Sequence, residues 1–426
     1  MAVCYFDDKY EEKYNCLYEV KDNVIEVTVD YNIMDEIPAI NGIRSYGSNT
    51  EFKKRDILII DYQSKMSYLL KNAQYWGHSE IIGTPDGGDS TKFVATYYFK
   101  NSNYKKLCDI SKGCGIEKIR VYSNMINELI GYPSLSRKET EDEYVIELKR
   151  KTVKQKLEIN KNNVRSLVVS DDWKSVHSRK NNNIDIELSG YIEIEMEKSI
   201  CYEEVYNYVN ELMLFFQLLK PCRFYIEKIV VEINESFYEF CFQMDEIKYK
   251  DSYVQNSVNE NVLDFLYKCY TKIPYRDGKS EIRNLPYIIL NTSRNLEDNF
   301  LMFYRFIECY YKQQPIENIK KTFIEFSIKN NYRNLNKSNE AEIENLVYEI
   351  VSLRNHYVHE GYFINNKKLY ISFPKIEKMV NTKNHIEENI DWEWIYDRTK
   401  ILYEIVIDII FRDMLGYEKY KFYKHF

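Results

Sequence analysis

The sequence predicts an α+β chain of two domains. An antiparallel β-rich domain, sandwich- or barrel-like, spans 1–248, and an all-α helical bundle spans 249–426. Three observations predict this. Short β-branched and aromatic runs dominate the first half, several alternating apolar with polar residues. From about Asp251 the apolar spacing lengthens to a helical period and stays there. Pro274, Pro286, Pro315 and Pro374 then punctuate the second half as breaks between helices. At 426 residues the chain is long enough to bury two substantial cores.

Taken in order, strands are expected at 24–29, 56–60, 92–99 and 144–148. The runs 184–188 and 191–196 alternate most cleanly, on either side of Ser189 and Gly190, as a strand with one dry and one wet face does. The period then changes. Val205, Val209, Leu212, Met213, Phe216 and Leu219 recur at helical spacing, and Pro221 ends that segment. Two further strands near 224–233 and 237–242 close the half, with the boundary between Asp245 and Tyr253. Helices are expected at 262–270, 286–311, 316–329, 340–360 and 391–415, joined by short polar connections.

Composition narrows the function classes. Net charge is −7, which argues against broad electrostatic capture of nucleic acid and leaves room for a local basic cleft. No apolar run reaches membrane-spanning length, and the first residues lack the basic and long apolar segments of a secretory signal. Nine scattered cysteines without a C-x-x-C pair fit reduced thiols in a cytoplasmic protein better than a disulfide frame or zinc site. The forty tyrosines accompany abundant Lys, Asn and Ile, a compositional bias that carries little functional weight.

The most informative stretch is 353–361. Ile343, Leu346, Val347, Ile350, Leu353 and Tyr357 form a core-facing stripe, and Arg354 falls on its edge. A guanidinium there needs an anionic partner or a groove. Gly361 supplies a helix stop, so His359 lies in the last turn, where exposed carbonyls favour the imidazolium. On an ideal helix Arg354 and His359 are about 140° apart around the axis and about 7.5 Å along it, so they flank a site instead of touching. Sixteen arginines and six histidines give about 0.2 Arg-x-x-x-x-His spacings by chance, and the pattern occurs once. The plainer alternative is an Arg paired to a carboxylate and a His capping helix carbonyls.

Other candidates carry less. Glu308, among helix-core aromatics, is placed either to hold Arg354 from a neighbouring helix or to pair with Arg305 or Lys312. His356, His359 and Glu360 lack a third ligand at a recognised spacing, so no metal or other cofactor is expected. The run from Gly83 to Ser90 imitates a phosphate-binding loop, but Asp89 stands where a lysine is needed, and a turn between strands explains it better. The basic run from Lys149 to Lys156 suits a solvated strand edge. Lys320, Lys321, Lys329 and Arg333, nearer the motif in sequence, are the better candidates for RNA phosphate contacts.

Arg354, Asn355 and His359 resemble the R-x(4–6)-H signature of the HEPN superfamily, helical-bundle domains of which many are metal-independent ribonucleases. The likeness extends to ApeA-type abortive-infection proteins of bacteria, through the run from Ser189 to Glu195 and the Phe215–Phe216 helix. The resemblance implies an endoribonuclease in anti-phage defence, with a β-rich sensing or regulatory domain before the HEPN bundle. Arg354, Asn355 and His359 would be catalytic, with His356 and Glu308 supporting. It implies RNA as substrate, tRNA among the candidates, a homodimer or higher homo-oligomer sharing the cleft, a phage-derived trigger and no membrane. The 2′-hydroxyl would attack the phosphodiester, His359 would handle the proton and Arg354 would bind the non-bridging oxygens. Two competitors remain: a non-catalytic β-sandwich recognition module with a helical dimerisation bundle, and a metal-dependent nuclease.

Overall fold

The structure is a computed structural model. It describes residues 2–7, 11–30, 54–80, 89–110, 115–123, 126, 134–139, 144–149, 155–178, 183–219, 225–242, 255–257, 262–273, 296–311, 321, 392–417 and 421–423, with ten positions between 346 and 358. An antiparallel β-rich region comes first and helices follow, so the chain is α+β. It divides into two compact units, Met1–Asn210 with Phe224–Ile247, and Glu211–Arg223 with Lys248–Phe426.

In the first unit six strands close on themselves. These are β1 (Ala2–Phe6), β2 (Tyr14–Lys21), β3 (Val24–Val29), β4 (Arg55–Asp61), β5 (Met66–Glu80) and β6 (Asp89–Ala95). The pairings run β1-β2-β3-β6-β5-β4 and return from β4 to β1, all antiparallel. Strict alternation on β3 sends Ile25, Val27 and Val29 inward and leaves Glu26 and Thr28 partly exposed. The interior is packed with side chains from every strand, among them Cys4, Phe6, Cys16, Ile57, Ile59, Leu70 and Phe93. On β5 the inward set shifts phase from Tyr68 and Leu70 to Ala73, across a bulge at Asn72 with φ of 49°.

The expected strand 92–99 is interrupted. Thr96 is an exposed bend between β6 and β7 (Tyr97–Asn101), yet both halves face β5 in one register, Gln74 opposite Val94 and Lys71 opposite Tyr97. The bend lets β6 join β3 and close the barrel while β7 joins β15 (Ser236–Phe242) and opens a second sheet. That sheet continues through β14 (Ile226–Ile233), β8 (Ile116–Ser123), β13 (Asn183–Ile200) and β12 (Val164–Ser178) to β11 (Gln155–Lys161). Ser189 and Gly190 lie within one unbroken strand, opposite Asp172 and Asp171. A short helix α1 (Tyr104–Ile110) rests its buried Leu107 and Ile110 near β4, β5 and β7. A separate hairpin pairs β9 (Ser134–Glu139) with β10 (Tyr144–Lys149).

One face of the second sheet is dry, with Ile119, Val121, Ile192, Ile194 and Val231 buried. The other is a ladder of ion pairs: Arg120 to Glu193 and Lys118 to Glu232 at 2.6 Å, and Lys156 to Glu195 at 3.2 Å. Edge strand β11 carries the half-exposed Lys156, the last residue of the basic run, of which residues 150–154 lie outside the described residues.

Helix α2 (Tyr202–Leu219) begins with half of a capping box, the Cys201 backbone N–H donating to Glu204 Oε2 at 3.0 Å. Its first turns contact the β-rich unit through Tyr202 on Tyr97 and Tyr206 on Phe242. From residue 211 its side chains belong to the second unit, where Phe215 meets Tyr270 edge-on at 5.0 Å.

The described helices of the second unit are α3 (Val262–Lys272), α4 (Leu296–Tyr311), α5 (Trp392–Asp408) and the helical positions between 346 and 358. Helix α5 continues as a π-helix over Ile409–Met414. The unit is not purely helical: β16 (Gln255–Ser257) pairs with β17 (Lys421–Tyr423). Helix α4 packs on α5, with Phe303 and Tyr403 rings 5.3 Å apart. Lys272 at the end of α3 donates to the Leu415 carbonyl at 3.1 Å, a cation meeting a helix C-terminus. Among the described residues no helix is long and apolar enough to cross a membrane.

Candidate functional site

The stripe read from the sequence, apart from Ile343, which lies outside the described residues, is on the inward face of the motif helix. Val347, Ile350 and Leu353 are buried, and Leu346 and Tyr357 are partly so. One residue past Leu353 the helix rotates about 100°, which carries Arg354 from the core to its margin. Its side chain is 31% exposed, so the guanidinium is neither sealed nor free in solvent. Asn355, a further step round, is exposed.

Three groups hold Arg354. Its Nη2 donates to Glu308 Oε1 on α4 at 3.3 Å, and its Nη1 donates to Asn355 Oδ1 at 3.0 Å. Its Cζ lies 5.6 Å from the centroid of the Tyr304 ring. Tyr304 and Glu308 are four residues apart and so share one face of α4. Tyr304 is 3% exposed, which fixes the ring, whereas Glu308 is as exposed as the arginine it meets. Burial pushes the Tyr304 phenol up to about 12; Glu308 adds to the rise and Arg354 opposes it.

The opposite flank of the same helix carries a second pair. Arg398 on α5 donates from Nε at 3.0 Å and from Nη2 at 2.7 Å to Glu349 Oε2, and from Nη1 to Asp397 at 3.3 Å. The motif helix is therefore tied to α4 and α5 by one arginine–carboxylate contact on each side.

Of the residues singled out in the sequence, Arg354, Asn355 and Glu308 come together. Glu308 meets Arg354, the first of its two expected arrangements. Lys321 is an exposed helical residue. His356, His359, Glu360, Gly361, Lys320, Lys329 and Arg333 lie outside the described residues or side chains. Residues 81–88, most of the loop that imitates a phosphate cradle, lie outside them too, and Asp89 already belongs to strand β6. Among the described residues no group of three or more His, Cys, Asp and Glu side chains is placed to hold a metal ion.

Tyr304, Glu349 and Arg398 escaped the sequence reading. Tyr304 had a usable signal: once Glu308 is placed against Arg354, the residue one turn earlier must face it as well. No family model, curated protein or solved structure matches the chain.

Proposed function

We propose that this chain is a metal-independent endoribonuclease of HEPN type, acting in anti-phage abortive-infection defence as ApeA-like proteins do. The observation that carries the reading is the placement of Arg354. A fixed cation sits half exposed on a helix margin, backed by a buried ring and beside an exposed amide. That is the presentation a phosphodiester needs from a residue that must bind its non-bridging oxygens.

In the proposed reaction the substrate's 2′-oxygen forms a bond to phosphorus as the P–O5′ bond breaks. His359 takes or supplies the proton in transit, and Arg354 with Asn355 stabilises the charge that grows on the non-bridging oxygens. The products are a 2′,3′-cyclic phosphate and a 5′-hydroxyl, and DNA, lacking the nucleophile, is refractory. A homodimer brings two copies of the motif to one cleft, and the β-rich unit restrains or senses.

The pairing of Arg354 with Glu308 favours a second reading, a non-catalytic recognition module whose helical unit serves dimerisation and whose arginine is structural. One experiment separates them. Purified protein is incubated with total RNA in EDTA and the fragment ends are mapped. The nuclease reading expects cyclic-phosphate ends from the parent and none from Arg354→Ala or His359→Ala at unchanged melting temperature. Absence of cleavage by the parent, or cleavage surviving Arg354→Ala, overturns it.

A further inference from the structure

The contact between Arg354 and Glu308 admits two roles: a brace that positions the guanidinium, or an anion occupying the seat that a phosphate takes. Geometry separates them. A guanidinium presents two two-pronged edges to an oxyanion, Nε with Nη2 and Nη1 with Nη2. Glu308 sits at Nη2, the nitrogen common to both, so its negative charge adjoins either approach. It does so through one contact at 3.3 Å between side chains each 31% exposed, a weak pair that solvent screens. The placing of Arg354 has another source. The Tyr304 ring is fixed by burial and meets the guanidinium as a cation–π partner, a contact that uses none of its N–H donors.

We infer that Glu308 is a built-in competitor for the substrate phosphate, displaced when RNA binds at Arg354, so that the resting site is self-occupied. This rests on the reading of Arg354 as a phosphate-binding residue and adds a restraint to it. The carboxylate and the phosphodiester share one chemical demand, an oxyanion on a guanidinium, and only one of them is satisfied at a time.

The test uses the full chain in EDTA and a short single-stranded oligoribonucleotide, 2′-O-methylated so that it binds without reacting. Binding is measured for the parent, Glu308→Gln, Arg354→Ala and the double variant. Glutamine keeps the shape and removes the charge. The expected result is that Glu308→Gln tightens binding about two- to fivefold, the worth of an exposed ion pair, and that the gain vanishes when Arg354 is alanine. Unchanged or weaker binding by Glu308→Gln makes the residue a brace and overturns the inference. An equal gain in both backgrounds reduces it to general charge removal and also overturns it, as does parent binding that ignores Arg354. An Arg354-dependent gain, with unmodified RNA left uncut by every variant, upholds the competitor and removes the nuclease reading alone.

Discussion

The two arginines that flank the motif helix use the same chemistry to different ends. Arg398 places two N–H groups on one oxygen of Glu349 at 2.7 and 3.0 Å, engages Asp397 as well, and is 16% exposed. Arg354 meets one oxygen of Glu308 at 3.3 Å and is 31% exposed. A short, doubled contact to the carboxylate of the facing helix describes a clamp between helices. A long single contact describes a cation held in place yet able to exchange its partner. An arginine's neighbours therefore need to be weighed by geometry, since an ion pair alone does not distinguish a fastening from a site.

The largest effect that would break this contrast is on chemistry. Arg354→Ala should reduce RNA cleavage by roughly 10²-fold or more, the usual worth of a group that stabilises transition-state charge. Its melting temperature should stay near that of the parent. Arg398→Ala should do the reverse, losing about 1–2 kcal/mol of stability, more than an exposed pair and less than a fully buried one. Paired urea denaturation curves and cleavage assays check both, and a swap of the two phenotypes would dissolve the distinction.

A smaller effect belongs to the ring beneath Arg354. Tyr304→Leu keeps an apolar side chain but removes the face, at a cost of about 0.5–2 kcal/mol. Cleavage should fall several-fold, and phenylalanine at the same position should restore it where a purely packing role would not need an aromatic. The least effect is in alkali. The folded Tyr304 phenol titrates near 12, above its ordinary value of 10.0, so the folded state holds that proton more tightly. Its contribution to stability is complete below pH 10 and is lost as the pH rises through 12. The stability difference between the parent and Tyr304→Phe, followed by denaturation across that range, should shift in that direction.

How much of this was legible in the sequence depends on whether local pattern or distant pairing decides the structure. Strand β3 has its expected bounds and helix α2 contains the whole expected apolar stripe from Val205 to Leu219, because a clean period of two or of 3.6 needs no partner to be read. Barrel closure was not legible. It turns on the bend at Thr96 and the bulge at Asn72, where single residues redirect strand edges and leave no periodic trace. Ser189 and Gly190 looked like punctuation, but pairing along both of their flanks carries the strand straight through them. At the site, the stripe through Val347, Ile350 and Leu353 fixed the orientation of Arg354, while its meeting with Tyr304 and Glu308 required knowing which helix lies alongside.

The single register that runs from β6 through Thr96 into β7 has a practical consequence. Strand β5 lends its far half to the barrel and its near half to the open sheet along one edge, so neither piece owns it. Dissecting the N-terminal unit into a minimal barrel, by truncating after Ala95, would strip the near half of β5 of its partners along that edge and bare a fresh sticky border. Anyone designing shortened versions should keep the ring and its extension as one indivisible piece.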